Sequence, residues 1–469
     1  MIVTFRGFLN CYMPQMITSL SQEMHFTYSQ EELKELAAQI LKQAMESGAS
    51  DCDVDISEGF GLSVTVRCGN VETIERNRDK GIGITIYLGQ QRGYASTSDF
   101  SSKALCKTVE AALNIARFTA IDDCAGLPEK HLLANSKKAF TDLSLYHPWL
   151  LTTDEAVLFA KRCEQAAFAV DSQITNSEGA TVSTQESHFI SANSLGFMGG
   201  YPASRHFLSC SVIAGKDEYM QRDDWYSNVR NVLRMSPPEA IGDYAARRAL
   251  ARLGARKIKT CKAPVIFEAP VAASLIGHFV RAVSGGNLYR KSSFLMNSLG
   301  QKVFSENVNI SERPHLLEGI SSSAFDSDGV ETRDREVVID GVLQGYFLGV
   351  YTARKLGLQT TGNAGGSHNL LVQSGNCDLP QLIKKMNRGL LVTEFLGHGV
   401  NYVNGDYSRG AAGFWVENGE IVFPVQEITI AGNLREMFLS ILDTGNDVVT
   451  RGAKQTGSIL IENMQVAGD

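Results

Sequence analysis

One stretch of the chain, residues 274–294, combines residue types that could perform chemistry. It reads SLIGHFVRAVSGGNLYRKSSF, and its apolar spacing predicts a helix that carries a single histidine, His278. An imidazole on a helix is a possible metal ligand, but a metal site needs at least two further ligands. Taken alone, His278 therefore favours a structural role. The basic pair Arg290 and Lys291 after the glycines could bind a carboxylate or simply end a helix in solvent.

Further ligands for a metal could come from two glycine-rich loops. His368 lies in GNAGGSHN and His398 in FLGHGVN, where small residues let the backbone approach a ligand. The alternative is that the glycines form tight turns and the histidines are incidental. No two of the nine histidines are four residues apart, and G-x-S-x-G, P-loop and H-E-x-x-H motifs are absent from the sequence.

Three aspartates in DCDVDISEG, at positions 51, 53 and 55, invite comparison with a calcium-binding loop. The comparison fails, because Ile56 stands at the glycine position and Leu62 at the position of the bidentate glutamate. Alternation of these aspartates with Cys52, Val54 and Ile56 predicts a half-buried strand instead.

Composition narrows the function classes for the 469-residue chain. Its formal net charge is −7, and without a basic block we expect no direct nucleic-acid binding. No apolar run approaches the roughly 20 residues that cross a bilayer, so we expect no membrane span. Nine dispersed cysteines without a C-x-x-C pair indicate reduced thiols and a cytoplasmic location.

The elements that must position these residues follow from local patterns. Ser29 and Thr152 each begin a capping box ahead of a helical apolar pattern, and alternating apolar residues predict strands between the helices. Three pairs of residues are candidate hairpin turns of type I′: Asp340-Gly341, Asn418-Gly419 and Asn404-Gly405.

These patterns predict an α+β protein with an N-terminal domain of helices and antiparallel sheet, followed by a largely antiparallel β domain at the C-terminus. The predicted segments are a poorly ordered leader (1–26), an N-terminal α+β domain (27–135), a middle α+β segment (136–260) and a C-terminal β-rich domain (261–469).

The C-terminal half resembles the TldD/PmbA family of peptidase-type proteins, also described as modulators of DNA gyrase, and is most similar to its PmbA (TldE) branch. Resemblance is weak from about residue 30 and strong from about residue 260 onwards. Five segments carry it: GGNLYRKSSF (285–294), DGVLQGYFLGVYTARKLG (340–357), TTGNAGGSHN (360–369), VNGDYSRGAAGFWVENGEIVFPVQEITIAGNL (403–434) and DTGND (443–447).

The resemblance also implies where metal ligands should stand. TldD chains carry H-E-x-x-x-H directly before a segment similar to residues 286–291, and a cysteine ligand near the C-terminus. In this chain Gly277 stands at the first histidine, His278 at the glutamate and Ala282 at the second histidine. No cysteine follows Cys377. We therefore expect no catalytic residue, no metal and no cofactor in this chain.

By resemblance, the chain is a PmbA-type subunit that lacks the zinc site and forms a heterodimer with a TldD-like, zinc-containing partner, or a homodimer when alone. The expected substrate is an unfolded or extended peptide, held by an edge strand. We expect Arg290, Lys291, His398 and Asn433 to line the substrate chamber. Two alternatives stay open: an autonomous metallopeptidase built from His278, His368 and His398, and a non-enzymatic binding protein of the gyrase-modulator type.

Overall fold

The computed structural model describes residues 25–135 and 142–468. Most of the predicted leader (residues 1–24 of 1–26) and the start of the predicted middle segment (136–141) lie outside the described residues. At the first described positions, the ring of Phe26 stacks on His188 with centroids 3.9 Å apart. The amide of Thr27 donates a hydrogen bond to the buried carboxylate of Glu58.

The first half of the chain forms one antiparallel sheet in the order β3-β2-β1-β4-β6-β7, with β5 beside β4. Its strands are β1 (Asp51–Arg67), β2 (Asn70–Leu88), β3 (Gln91–Thr97), β4 (Ile174–Asn193), β5 (Met198–Gly199), β6 (Pro202–Ala214) and β7 (Gln221–Val229). Strand β1 pairs with β4 over 14 residues, from Asp53 opposite Asn193 to Val66 opposite Ala180. Strands from the predicted N-terminal domain (27–135) and from the predicted middle segment (136–260) therefore belong to one sheet.

Four long helices cover this sheet: α1 (Gln30–Glu46), α2 (Ser102–Phe118), α3 (Thr153–Phe168) and α4 (Pro238–Ala251). Both predicted capping boxes are confirmed: the hydroxyls of Ser29 and Thr152 accept hydrogen bonds from the amides of Glu32 and Glu155, each at 3.2 Å. Helices α1 and α2 pack on one part of the sheet, and α3 and α4 on the other. Short 3₁₀ turns occur at Lys130–Leu132, Asp217–Tyr219 and Val232–Arg234.

The second half contains two smaller sheets. A five-stranded sheet, in the order β11-β10-β9-β12-β17, consists of β9 (Ile310–Glu312), β10 (Arg335–Ile339), β11 (Val342–Leu343), β12 (Leu370–Val372) and β17 (Lys454–Gln455). A six-stranded sheet, in the order β15-β14-β13-β8-β18-β16, consists of β8 (Cys261–Phe267), β13 (Gly389–Leu396), β14 (Asp406–Glu417), β15 (Glu420–Asn433), β16 (Ile441–Thr444) and β18 (Ile459–Ala467). Most neighbours in both sheets are antiparallel, which confirms the predicted α+β class.

Five further helices lie in this half: α5 (Ala269–Ala282), α6 (Gly285–Tyr289), α7 (Val350–Leu356), α8 (Leu379–Met386) and α9 (Leu434–Leu439). Strand β8 runs between β13 and β18 and passes directly into α5. Strand β8 is thus hydrogen-bonded on both sides just before α5 begins.

Two of the three predicted type I′ turns are confirmed. Asp340-Gly341 has φ of +48° and +77°, and Asn418-Gly419 has φ of +54° and +75°, as this turn requires at both central positions. The prediction for Asn404-Gly405 was wrong, because only the glycine has a positive φ. The connection there spans the residues between the bridged pair Val400 and Tyr407, so a two-residue turn is not needed to reverse the chain.

Candidate functional site

The predicted helix around His278 is α5, which begins just after Glu268 and buries one face in the C-terminal core. Ala272, Leu275, Phe279 and Ala282 on this face are 0–1% exposed. The chain then turns into α6 at Gly285. A Cβ added there would lie 2.3 Å from Thr352 Oγ1, so this position requires glycine for close packing of α6 against α7. Packing thus explains Gly285, whereas a Cβ at Gly286 would approach only the flexible side chain of Arg290, at 3.1 Å.

The two positions at which the resemblance predicts metal-binding histidines carry no ligand atoms. Gly277 lies on the partly exposed side of α5, where a Cβ would contact the Lys454 side chain at 3.7 Å. Ala282 is completely buried, and its carbonyl oxygen accepts a hydrogen bond from Ser293 Oγ. A histidine at 282 would have to displace core side chains. Packing as well as residue type therefore separates this helix from a metal site.

His278 itself contacts two tyrosine side chains. Its Nδ1 lies 2.7 Å from Tyr402 Oη, and its ring centroid lies 5.9 Å from that of Tyr407. Burial, and then the positive charges of Arg409 and Arg281, lower the pKa of His278 to about 4. The imidazole is consequently neutral at pH 7. Its Nε2 is buried and has no hydrogen-bond partner among the described residues.

The other two histidines do not join His278. His368 is buried: its amide donates to Glu312 Oε1 at 2.7 Å, and its Nε2 lies 3.0 Å from the Gly362 carbonyl oxygen. His398 is exposed in the loop that follows β13. Its chain neighbour Gly397 has a positive φ, as a tight turn requires.

Within residues 25–135 and 142–468, only Asp122, Asp123 and Cys124 bring three metal-ligand side chains together. Asp122 already accepts hydrogen bonds from Lys355 Nζ at 2.7 Å and Tyr351 Oη at 2.8 Å. A catalytic zinc site uses three protein ligands and a protected, open fourth position. The side chains present at α5 do not fit such a site, and in the group of two aspartates and a cysteine Asp122 is already paired with Lys355.

The four predicted chamber residues lie on three different segments: just after α6, in the loop after β13 and at the start of α9. Arg290 is exposed and packs over the ring of Tyr289 at 5.2 Å, and Lys291 is exposed with φ of +56°. Asn433 caps α9: its side chain accepts from the amide of Arg435 and donates to the Asn404 carbonyl at 2.9 Å. With exposed His398, these residues stay predicted chamber residues.

Several polar side chains beside α5 were not predicted from the sequence. Tyr402, Tyr407 and Arg409 come from the loop before β14 and from β14 itself, and Arg281 and Lys454 complete the group. Local signals were present: Arg281 follows His278 by three residues on a helix, and Tyr407 and Arg409 alternate on one strand face. Nothing in the sequence indicated that the helix and the strand meet.

The predicted strand with three aspartates lines a cavity of about 830 Å³. Asp53 and Asp55 of β1 face it from the first sheet, and Asp328 faces it from the C-terminal half. Burial and the charge of Asp55 raise the pKa of Asp53 to about 7. The cavity lies where the two halves of the molecule meet, which explains the polar face of a strand whose other face is fully buried.

Comparison with known proteins agrees with this architecture. Three descriptions of one family match consecutive parts of the chain: PmbA/TldA metallopeptidase domain 1 (52–116), the central domain (146–253) and the C-terminal domain (260–468). Metalloprotease PmbA of Escherichia coli O157:H7 is 47% identical over 425 residues, which cover 90% of this chain and 94% of that protein. A PmbA homolog of Haemophilus influenzae is 44% identical over 94% of this chain and 97% of its own length.

Solved structures extend the similarity to the tertiary level. A Bacteroides thetaiotaomicron protein named as a modulator of DNA gyrase superposes with a TM-score of 0.89 at 27% identity, over 94% of this chain and all of its own. TldE from Thermococcus kodakarensis shares the fold, with a TM-score of 0.80 at 19% identity over 92% of this chain and all of its own. The chain therefore belongs to the PmbA/TldD metallopeptidase family, in its PmbA branch.

Proposed function

We propose that this chain is the non-catalytic subunit of a two-component peptidase. A TldD-like partner, with its H-E-x-x-x-H motif, would contribute the zinc and carry out hydrolysis. The observation that supports this assignment most directly is the pair Gly277 and Ala282, which provide no ligand atoms on an otherwise intact α5. His278, which stands where a water-activating glutamate would be needed, is neutral and hydrogen-bonded to Tyr402.

The substrate we propose is an extended or unfolded peptide, as suits proteolysis and peptide maturation by a metallopeptidase family. This chain would complete the chamber in which the peptide is held, with Arg290, Lys291, His398 and Asn433 in its wall. Alone, the chain would form a homodimer through the surface that otherwise meets the partner. The proposed location is the cytoplasm, and no helix among the described residues is long and apolar enough to cross a membrane.

A reconstitution experiment tests the proposal. The chain is purified alone and together with a TldD-like chain, and hydrolysis of a flexible labelled peptide is measured. We expect hydrolysis only from the mixture, and none when both motif histidines of the partner are replaced by alanine. Light scattering of each sample shows whether the homodimer gives way to a mixed dimer.

Metal analysis of the same samples provides an independent readout. We expect zinc to copurify with the mixture and to be absent in stoichiometric amounts from this chain alone. One tightly bound zinc per copy of this chain, or peptide hydrolysis by this chain alone, would refute the non-catalytic assignment. An inactive mixture in which this chain still binds peptides would favour the non-enzymatic binding protein.

A further inference from the structure

A group of cationic and tyrosine side chains lies beside α5, next to the positions that carry metal ligands in TldD chains. On the helix side, the guanidinium carbon of Arg281 lies 4.6 Å from the ring centroid of Tyr402. Tyr402 Oη in turn lies 2.7 Å from His278 Nδ1. Arg281 is exposed and Tyr402 is partly exposed, so solvent reaches this side of the group.

Strand β14 supplies the other side of the group. Tyr407 and Arg409 are two residues apart and therefore point to the same face of the strand. The Tyr407 ring is 5.9 Å from the His278 ring. The Arg409 guanidinium lies 4.4 Å over the ring of Phe395, and its Nε donates to the Gly397 carbonyl at 3.2 Å. Arg409 thus keeps donors free, and we call Arg281, Tyr402, Tyr407 and Arg409 with His278 the α5 cluster.

Two buried polar atoms of the α5 cluster lack a hydrogen bond. Tyr407 is 2% exposed, and neither its Oη nor His278 Nε2 has a partner of hydrogen-bonding geometry among the described residues. Buried polar atoms are almost always satisfied, so two of them in adjacent rings indicate that an interaction is missing. Burial raises the pKa of the Tyr407 hydroxyl, and the charge of Arg409 and a loose side-chain contact with its guanidinium oppose that rise in part. This contact lacks hydrogen-bonding geometry, and because a guanidinium only donates, it would leave the hydroxyl proton of Tyr407 without an acceptor.

The cations around the cluster also lack a counter-charge. Within the parts of the chain that the structure describes, Arg281, Arg409 and half-buried Lys454 have no carboxylate within 4 Å. Burial alone lowers the pKa of Lys454, whose side chain lies against Gly277. By contrast, buried Arg248 on α4 is paired with both Asp223 and Glu268. Cations without an acidic neighbour, two of which (Arg409 and Lys454) are partly buried, are complementary to an anionic ligand.

We infer that the α5 cluster is a carboxylate-binding site for the peptide substrate, an inference that rests on the proposed function. Arg281 and Arg409 would donate charge-assisted hydrogen bonds to the two carboxylate oxygens, and the hydroxyl of Tyr407 would donate a third. In place of a metal ion, the family's ligand-bearing helix here presents fixed positive charges. Such a site would bind the C-terminus of a peptide, or an acidic side chain, without catalysing a reaction.

Peptide binding to the isolated chain tests the inference. The probes are three fluorescently labelled ten-residue peptides of Gly, Ser and Ala: one with a free C-terminal carboxylate, one amidated, and one amidated with a single internal Glu. Fluorescence anisotropy at low salt gives the Kd of each. We expect the acid peptide to bind roughly tenfold more tightly than the amidated one, since charge-assisted hydrogen bonds are about twice as strong as neutral ones.

Variants identify the site. We expect Arg281→Gln and Arg409→Gln each to weaken binding of the acid peptide about fivefold to tenfold and to leave the amidated peptide unchanged. Arg117→Gln, which removes an exposed arginine from the last turn of α2, is the matched control. Tyr407→Phe removes only a buried, unsatisfied hydroxyl, so its Tm should not fall while its affinity for the acid peptide falls about threefold.

Comparison of the three peptides shows whether the site binds a C-terminal carboxylate or the carboxylate of an acidic side chain. Affinity regained by the internal-Glu peptide assigns the site to any peptide carboxylate, and affinity for the acid peptide alone assigns it to the terminus. Equal binding of acid and amidated peptides, equal losses for both in the arginine variants, or no binding of the acid peptide at millimolar concentration would overturn the inference. Acid-selective binding with an inactive reconstituted mixture would instead refute the proposed function and leave the site standing.

Discussion

Tyr402 Oη lies 2.7 Å from Nδ1 of His278, which commits one ring nitrogen of that histidine to the protein. The other nitrogen is enclosed, and the positive charges of Arg409 and Arg281 stand nearby. A partly buried histidine in this setting is kept neutral by its surroundings.

The first prediction concerns pH and His278. Its pKa is lowered from the ordinary 6.5 to about 4 by burial and the two arginines. Between pH 6.5 and pH 4, His278 therefore binds a proton in the unfolded chain but not in the folded chain. The free energy of unfolding consequently decreases as the pH falls from 7 to 4. We expect His278 to lower the free energy of unfolding by at most about 3 kcal/mol over that pH interval.

Urea unfolding of wild type and His278→Gln at pH 7 and pH 4.5 measures this effect. The variant should lose less stability on acidification than the wild type does. His398→Gln, in an exposed loop, is the matched control for loss of a histidine. Parallel pH dependences in wild type and His278→Gln would contradict the neutral, buried assignment.

The second prediction compares the two positions that lack metal ligands. Gly277→Ala should stabilise the protein by about 0.5–1 kcal/mol, because the helix interior favours alanine and the new Cβ makes only an ordinary contact with Lys454. Ala282→His should cost about 2 kcal/mol or more, because this position is completely buried. Thermal unfolding of the two variants gives both values, and a stable Ala282→His protein would show that the core has room for the missing ligand.

The third prediction concerns the support of α5 by the first half of the chain. Arg248 on α4 donates to Asp223 on β7 at 3.0 Å and to Glu268, directly before α5, at 2.9 Å. Its side chain is only 12% exposed. Replacing it by methionine would leave the Glu268 carboxylate buried without its ion-pair partner and Asp223 paired only with Arg252 at 3.5 Å, so we expect Arg248→Met to lose about 3 kcal/mol of unfolding free energy.

The adjacent arginine provides the control for this experiment. Arg247 is 65% exposed and pairs with Asp243 one turn earlier on the same helix. Because such surface pairs contribute little, Arg247→Met should change the free energy of unfolding by less than about 0.5 kcal/mol. Equal effects of the two substitutions in denaturant unfolding would mean that the contact between α4 and Glu268 does not hold the halves together.

The fourth prediction concerns Asp53 in the cavity. Its pKa is raised from 3.8 to about 7 by burial and the neighbouring charge of Asp55. The folded chain therefore holds a proton that the unfolded chain releases, and the stability due to the neutral carboxyl is lost as pH rises towards and through 7. Asp53→Asn stays neutral, so we expect it to gain about 2 kcal/mol over wild type between pH 5 and pH 8, allowing for solvent in the cavity.

Denaturant unfolding across that pH range checks this expectation. Arg117→Gln, which removes no carboxyl, serves as the reference variant. A constant difference between Asp53→Asn and wild type at every pH would indicate that Asp53 is ionised throughout, as it would be if a cation were bound beside it.

Local features of this fold were accessible from the sequence. The capping boxes at Ser29 and Thr152 and the turns at Asp340-Gly341 and Asn418-Gly419 depend on residues a few positions apart, so the pattern contains the physics that forms them. Asn404-Gly405 was mistaken for the same turn because its loop is set by the distant pairing of Val400 with Tyr407.

The sequence by itself determined that Gly277 and Ala282 cannot bind a metal, because no fold can give a glycine or an alanine a ligand atom. Only the tertiary structure decided which side chains surround these two positions. Tyr402, Tyr407 and Arg409 follow His278 by more than 120 residues, and β-sheet pairing brings them against α5. Contacts at such separation depend on the packing of whole elements, and no local pattern of residues encodes them.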